Sequence, residues 1–152
     1  MFSSDSETSS AYKDAGIGHA TERALILVVE RNPAVRRLEK FFLEQAGYAV
    51  EFAVDGVSAL EQARELRPKI LVTEILVPKL DGLSLCRNLK ADPGTSGIVV
   101  LLFSHLHAED RAREAGADAF LVKPLNEQLL IQTVEKLIAL RQKSAGGDFV
   151  GS

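Results

Sequence analysis

The sequence contains a single cysteine, Cys86, and no long apolar run, and both absences narrow the class of protein. One cysteine excludes an intrachain disulfide, so we expect a reducing, cytoplasmic location. No apolar stretch approaches the roughly 20 residues that a membrane-spanning helix needs, and the first residues lack the basic and apolar regions of a signal peptide. The formal net charge of −3 gives no general reason to bind nucleic acid or an anionic membrane.

The chain length of 152 residues suits one globular domain and is too small for a sensor joined to a separate output domain. Residues 1–22 are rich in Ser and Thr and show neither helical nor strand periodicity, which predicts a flexible tail. The sequence from residue 143 to residue 152 predicts a second flexible tail. We therefore expect one stand-alone domain over residues 23–142.

Between these tails, five short apolar runs alternate with five segments of helical periodicity. Asn32-Pro33 and Asp81 have the residue types that begin helices, as an N-cap residue followed by proline and as a second N-cap. Parallel neighbouring strands need crossover connections of a dozen or more residues, so the alternation predicts a doubly wound α/β fold. The predicted strands cover residues 24–29, 49–53, 70–74, 98–103 and 119–122.

Polar residues stand where four of these predicted strands end. In a parallel sheet the carboxyl ends of all strands meet at one edge, and ligands bind outside that edge. We therefore expect these side chains to lie close together and to form the functional site. The set comprises Glu30 and Arg31 after the first strand, Glu74 at the third, Ser104 after the fourth, and Lys123 and Pro124 after the fifth.

Four segments are the basis of a family resemblance that covers about residues 24–140. They are L-V-V-E-R-N-P at 27–33, V-T-E-I-L-V-P-K-L-D-G at 72–82, L-L-F-S at 101–104 and A-G-A-D-A-F-L-V-K-P at 115–124. Together they resemble the receiver domain of bacterial two-component response regulators. The resemblance implies a flavodoxin-like (βα)5 sheet of strand order 2-1-3-4-5 and a non-enzymatic role in two-component or phosphorelay signal transduction.

The resemblance also implies a role for each residue at the strand ends. In the family, an acidic pair after the first strand binds Mg²⁺, together with an aspartate at the end of the third strand that becomes phosphorylated. A Ser or Thr and a Lys then contact the phosphoryl group. By this resemblance, Glu30 and Arg31 take the acidic-pair positions, Glu74 the phosphoacceptor position, Ser104 the switch hydroxyl, Phe120 the aromatic that swings inward, and Lys123-Pro124 the pocket lysine with its proline.

Two of these residues depart from the family pattern, because Glu74 replaces an aspartate and Arg31 replaces an acid. The fixed charges of Glu30, Arg31, Glu74 and Lys123 sum to zero, where the usual set sums to −2. We therefore expect no cofactor, with Mg²⁺ binding weak or absent, and no ordinary aspartyl phosphorylation. Arg31 is expected to take the place of the cation by pairing with Glu74.

The sequence leaves two interpretations of Glu74 open. In one, its carboxylate imitates the phosphorylated state, and in the other it is a static salt-bridge anchor. Two other functions remain as alternatives: a working but unusual phosphoacceptor that interacts with a histidine kinase, and a small flavodoxin-like enzyme or nucleotide binder. The second alternative is disfavoured because Glu30-Arg-Asn-Pro33 stands where a glycine-rich phosphate loop is expected.

The segment between Ser104 and Ala115 is about three residues shorter than in typical receivers, close to one helical turn. This difference predicts a truncated fourth helix. The family commonly signals through the face of the fourth helix, fifth strand and fifth helix, so the partner choice of this face should be altered. The expected partners are other signalling proteins, such as a histidine kinase or an output protein, or a second copy of the chain at that face.

Overall fold

The computed structural model describes residues 23–123, 126–143 and 150–151 of the chain. The predicted tail over residues 1–22 lies outside the described residues, as do Pro124 and residues 144–149 and 152 of the predicted second tail. The strands are β1 (Leu25–Val29), β2 (Ala49–Ala53), β3 (Ile70–Glu74), β4 (Val99–Ser104), β5 (Ala119–Val122) and β6 (Val150–Gly151). The helices are α1 (Pro33–Gln45), α2 (Gly56–Leu66), α3 (Gly82–Ala91), α4 (Glu109–Glu114) and α5 (Glu127–Lys143).

The strands form one sheet in the order β2-β1-β3-β4-β5-β6, and every neighbouring pair is parallel. The predicted order of the first five strands, 2-1-3-4-5, is therefore confirmed. The sixth strand was not predicted, and it lies within the segment that the sequence indicated as a flexible tail. Two residues, one of them glycine, are too few to give a strand periodicity, so the sequence carries no signal for β6.

Apolar side chains cover both faces of the sheet, as a parallel sheet requires. On one face, residues such as Leu27, Leu71 and Val100 pack in a cluster with α2, α3 and α4. On the other face, residues such as Ile26 and Val72 pack with α1 and α5. Helices therefore pack against both faces of the sheet. Within the described residues, no helix has both the length and the hydropathy to cross a bilayer.

Three side-chain caps fix where α1, α2 and α3 begin at this edge. The Oδ1 atom of Asn32 accepts a hydrogen bond from the backbone of Ala34 at 2.9 Å, and Pro33 follows as the first helical residue. Asp55 and Asp81 accept hydrogen bonds from backbone N–H groups three residues later, at 2.7 Å and 2.9 Å. The helix starts predicted at Asn32-Pro33 and Asp81 are therefore confirmed.

Helix α4 is only six residues long, which confirms the prediction of a truncated fourth helix. Its N-cap residue, Ala108, makes no side-chain hydrogen bond to the first turn. Its buried residue is Ala112, so the helix is held to the sheet by a small contact. Such a short, uncapped helix has little stability of its own and depends on tertiary packing.

Candidate functional site

The register of the sheet brings the predicted site residues together at the carboxyl edge. Glu74 ends the central strand β3 opposite Phe103 of β4, and Thr73 lies opposite Val29, so Glu30 follows on the other side. The Lys123 backbone donates a hydrogen bond of 2.8 Å to the Ser104 carbonyl oxygen, which continues the pairing of β4 with β5. The predicted convergence of Glu30, Glu74, Ser104 and Lys123 thus follows from strand pairing alone.

Glu74 and Lys123 form an ion pair across β4. The Lys123 Nζ atom lies 3.1 Å from Glu74 Oε1, and the two side chains are only 27% and 25% exposed. The stem of the lysine passes over Phe103, whose ring centroid is 5.6 Å from Nζ. At the 3.1 Å that separates Nζ from Oε1, the Coulomb attraction between the two charges is about 5 kcal/mol at an effective dielectric of 20, before the cost of desolvation is counted. Partial burial therefore makes this pair stronger than a fully exposed one.

Two long side chains are needed for this contact, because β4 separates β3 from β5. Two strand spacings amount to roughly 10 Å between the backbones of the outer pair. The four-carbon stem of Lys123 covers part of this gap, and the extra methylene of Glu74 relative to an aspartate covers another part. The Glu74 carboxylate is therefore extended toward Lys123 and away from β1.

Arg31 does not form the predicted pair with Glu74, so that expectation is wrong. Its side chain is exposed beyond the end of β1. The backbone carbonyl oxygens of Glu30 and Arg31 both accept hydrogen bonds from Nη1 of Arg36, at 3.0 Å and 2.9 Å. The Arg31 side chain thus lies at the surface, and Lys123 is the partner of Glu74.

Glu30 is half-buried, and its carboxylate is used locally. Its Oε2 atom accepts a hydrogen bond of 3.1 Å from the backbone N–H of Asn32. The Glu30 backbone N–H donates to the Ala53 carbonyl oxygen at 2.8 Å, which extends the pairing of β1 with β2 by one residue. Glu30 thus stands at the acidic-pair position that the sequence predicted, and it stabilises the turn into α1.

The oxygen donors at this edge do not form a set that fits Mg²⁺. In the described part of the chain, no three side chains of the His, Cys, Asp or Glu type come together in a group able to hold a metal ion. Of the two carboxylates, Glu74 is bound to an ammonium group and Glu30 accepts a backbone N–H. Mg²⁺ demands near-octahedral coordination by oxygen atoms, and Arg31, at one of the two acidic-pair positions, has no oxygen atom in its side chain.

The predicted switch residues are buried beside the ion pair. Ser104 is 1% exposed, and its Oγ atom accepts a hydrogen bond of 3.1 Å from the backbone N–H of Leu106. Phe120 is also 1% exposed and packs in the core cluster on the face of α2, α3 and α4. In this state the hydroxyl of Ser104 is engaged with the loop before α4, and the aromatic ring points inward.

The loop from β3 to α3 is fixed close to Glu74 by backbone contacts. Gly82 donates a hydrogen bond of 2.7 Å to the carbonyl oxygen of Ile75. A Cβ atom added at Gly82 would lie 2.5 Å from the Glu74 carbonyl oxygen, so only glycine fits there. The start of α3 is thereby locked onto the end of β3, which fixes the backbone of the phosphoacceptor position.

Two acidic residues near the edge were not singled out by the sequence. Asp55 lies at the start of α2, where the backbone N–H of Ser58 lowers the pKa of its carboxyl, and Lys79 is 3.5 Å away. Glu39 lies on α1, where burial raises its pKa to about 7, with further contributions from the charges of Glu30 and Glu127. Asp55 lies in the short connection between β2 and α2, and the burial of Glu39 depends on how α1 packs.

Comparisons with known proteins identify the family. A model of the response regulator receiver domain matches residues 26–135. The chain is 34% identical over 116 residues to the DNA-binding dual master transcriptional regulator RpaA of Synechocystis, covering 74% of this chain and 48% of that protein. It is 37% identical over 138 residues to the response regulator PleD of Caulobacter vibrioides, covering 84% of this chain and 30% of that protein. The chain thus spans about half or less of the length of these curated relatives.

Solved structures agree with this match. The signal receiver domain of a signal transduction histidine kinase from Syntrophus aciditrophicus superimposes with a TM-score of 0.73 at 32% identity, over 80% of this chain and 94% of that one. The chemotaxis response regulator CheY4 of Vibrio cholerae has the same fold, with a TM-score of 0.70 at 24% identity, over 76% of this chain and 98% of that one. The family model and the residues at the carboxyl edge agree, and the chain belongs to the response regulator receiver domain family.

Proposed function

We propose that this receiver domain signals by protein–protein contact without phosphorylation at the usual aspartyl position. The observation that carries the proposal is the ion pair between Glu74 and Lys123, at 3.1 Å and largely shielded from solvent. In the family pattern, this lysine contacts the phosphoryl group of the modified aspartate. Here its ammonium group is already bound to a carboxylate that belongs to the chain itself.

The charges around the edge support the proposal. Glu30 and Glu74 contribute two negative charges, and Arg31 and Lys123 contribute two positive ones. The guanidinium of Arg36 adds a further cation that bonds to the carbonyl oxygens of Glu30 and Arg31. A divalent cation would therefore meet a neutral or positive environment, which is the physical reason to propose that Mg²⁺ binds weakly or not at all.

The geometry of the acceptor gives a second reason. Phosphoryl transfer depends on positioning the nucleophile and on stabilising the developing charge. The carboxylate of Glu74 is one methylene further from its backbone than an aspartate would be, and Lys123 binds its Oε1 atom. An attack on a phosphodonor would have to break this ion pair, without the help of a metal.

Both interpretations of Glu74 remain within the proposal, and different contacts support each. The reach of Glu74 to Lys123 and the inward position of Phe120 favour a carboxylate that imitates the phosphorylated state. The hydrogen bond from the Leu106 backbone to Ser104 Oγ favours the static anchor, because that hydroxyl is not bonded to Glu74. A pull-down with Glu74→Ala separates them, since partner release supports imitation and unchanged partner binding supports the anchor.

The partners proposed for this domain are proteins of two-component signalling, with a cytoplasmic location. Receiver domains interact with histidine kinases and with output domains, and the truncated α4 changes the face formed by α4, β5 and α5. A second copy of the chain bound at this face is included in the proposal. Nucleic acid and membranes are not proposed as partners of this domain.

The alternative function is that of a working but unusual phosphoacceptor. It is favoured by one observation: Ser104 and Lys123, which carry the family's phosphoryl contacts, stand in their family positions at the ends of β4 and β5. Under this alternative, Glu74 leaves the lysine when a phosphodonor arrives. The two proposals differ in whether a stable acyl phosphate forms.

The test is phosphorylation of the full chain by a small phosphodonor with Mg²⁺, followed by intact-mass and peptide mass spectrometry. We expect no adduct on Glu74, whereas a stable acyl phosphate there would overturn the proposal and establish the alternative. The informative comparison is the double variant Arg31→Asp with Glu74→Asp, which restores the family's charges and acceptor. It should gain both Mg²⁺ binding and an adduct, while Arg37→Asp with Glu74→Asp changes the charge equally but outside the site and should not gain Mg²⁺ binding.

A further inference from the structure

An apolar ridge runs along the exposed side of α1. Leu38 and Phe41 lie one helical turn apart, and they are 47% and 56% exposed. The ring of Phe41 packs edge to face against Phe42, with 5.3 Å between the ring centroids. Exposed apolar side chains that form one patch mark an interaction surface. No part of the proposed signalling mechanism uses this patch, and we call Leu38 and Phe41 the α1 ridge.

A groove lies directly beside the α1 ridge, between α1 and α5. It has a volume of about 340 Å³ and is lined by Phe42, Glu127, Gln128, Ile131 and Gln132. Phe42 and Ile131 are partly buried and form its apolar part. Because Phe42 contacts the ridge through Phe41 and also lines the cavity, the ridge and the groove form one continuous surface. We call this cavity the α1–α5 groove.

The charged residues of this surface are divided between the ridge and the groove. Arg37 and Lys40 are exposed on α1, whereas Glu127 lines the groove. Glu39 lies behind them on α1, where burial, followed by the charges of Glu30 and Glu127, raises the pKa of its carboxyl. Among the residues that the structure describes, neither the two cations nor Glu39 and Glu127 form an ion pair. Both signs of charge therefore remain for pairing between molecules.

The helical geometry of α1 directs the two cations away from the α5 helix of the same chain. Lys40 and Phe42 are two residues apart, which corresponds to about 200° around the helix axis. Phe42 lines the α1–α5 groove, so Lys40 projects from the opposite side of α1. Arg37 is exposed one turn before Lys40. An α1 helix placed in the groove of a second copy, with both α1 helices parallel, therefore turns these cations toward the α5 helix that carries Glu127.

The charges also set the relative direction of the two α1 helices. The charge of Glu127 acts on the carboxyl of Glu39, so Glu127 lies at the level of Glu39 along the axis of α1. Lys40 follows Glu39 directly and lies at the same level. Opposite charges therefore meet across the interface when the two α1 helices run parallel. Antiparallel helices centred on Phe41 would instead bring Glu44 toward Glu39, and like charges repel.

We propose that two copies of the chain associate through this surface as a symmetric dimer with parallel α1 helices. The α1 ridge of each copy lies in the α1–α5 groove of the other, so its apolar side chains pack against Phe42 and Ile131. The two cations lie beside Glu127 of the other copy. The occupant is a second copy because one surface carries both complementary halves, as an isologous interface requires. This surface differs from the face of α4, β5 and α5, and the inference is independent of the chemistry at Glu74.

The size of this surface sets the strength of the dimer. Helix α1 has 13 residues, which corresponds to a length of about 20 Å. Two adjacent helices, each about 10 Å wide, give a contact of roughly 400 Å² on each copy. Stable interfaces bury about 800 Å² on each partner, so the dimer is weak, with an expected Kd on the order of 100 μM.

The first test is sedimentation equilibrium of the full chain from about 10 μM to about 1 mM, where a weak monomer–dimer equilibrium is measurable. Phe41→Ala should weaken the dimer at least about tenfold, because each dimer contains two copies of this contact. Leu66→Ala, which truncates a 39% exposed side chain of α2 on the other face of the sheet, should leave the Kd unchanged. A monomer throughout this range, or a Kd unchanged by Phe41→Ala, would overturn the proposal.

The second test exchanges the charges across the interface. Lys40→Glu and Glu127→Lys should each weaken the dimer at least about tenfold, because each places like charges opposite one another twice. An equimolar mixture of the two variants should restore a dimer, since each chain then carries the charge that the other needs. Glu65→Lys, the same charge change on α2, should dimerise as the parent does. Failure of the mixture to dimerise would contradict the assignment, as would loss of the dimer in Arg111→Glu of α4.

Discussion

Glu39 of α1 is the best-defined source of pH-dependent stability in the described part of the chain. Its Oε1 atom is buried and has no hydrogen-bond partner among the described residues. Burial, followed by the charges of Glu30 and Glu127, raises the pKa of this carboxyl from 4.5 to about 7. The ionised form is therefore unfavourable in the folded chain and acceptable in the unfolded chain.

The direction of the effect follows from proton binding. Between about pH 4.5 and about pH 7 the folded state binds more protons at Glu39 than the unfolded state does, so the free energy of unfolding falls as the pH rises. A shift of this size corresponds to about 3 kcal/mol. Because water reaches part of the Glu39 side chain and screens it, we expect about 2 kcal/mol to be lost by about pH 8.

The perturbation is Glu39→Gln, which keeps the shape of the side chain and removes its charge. Urea denaturation at several pH values should give a variant that is about 2 kcal/mol more stable than the parent at about pH 8. Near pH 4.5 both forms are uncharged when folded, and the difference should vanish. Glu44→Gln, on the exposed side of the same helix, is the matched control and should change little at any pH. Parallel stability curves for Glu39→Gln and the parent would refute the reasoning.

Three further predictions concern stability and need only denaturation curves. A double-mutant cycle of Glu74→Gln and Lys123→Gln should give a coupling energy of about 1 to 2 kcal/mol, and a value near zero would show that the ion pair does not persist in solution. Gly82→Ala should cost about 2 kcal/mol or more because its Cβ atom would lie 2.5 Å from a carbonyl oxygen. Gly97→Ala, where nothing lies within 4 Å, should stay within about 0.5 kcal/mol, so equal effects of the two would contradict the contact. Asp118→Ala removes the acceptor of an ammonium group at 3.0 Å and of a backbone N–H at 2.8 Å, which should cost about 2 kcal/mol, and a neutral result would contradict the importance of this network.

The elements of the fold could be predicted because local signals and global topology agree. Asn32-Pro33 places the start of α1, and the five buried runs give the five long strands. The shortened segment after Ser104 gives a six-residue α4. Each of these signals depends on a few neighbouring residues, which the sequence displays directly.

Features that depend on tertiary packing could not be predicted in the same way. Strand β6 is two residues long and exists because the edge of β5 offers it hydrogen bonds. Glu39 has the pattern of an ordinary helical surface residue, and its burial arises from the approach of other elements.

The candidate site combines features that the sequence predicts with features that depend on tertiary packing. A parallel sheet delivers Glu30, Glu74, Ser104 and Lys123 to one edge through backbone pairing, so their convergence was predictable. Which side chains then meet depends on their reach: Lys123 contacts Glu74, whereas the Arg31 side chain is exposed. The charged side chains at this edge sum to zero whether Arg31 or Lys123 pairs with Glu74. The two pairings nevertheless predict different effects of substitution. Since Lys123 is the partner, replacing Arg31 by an acid would change the charge of the site without releasing Glu74, and only a shorter acceptor at position 74 would free the lysine for a phosphoryl group.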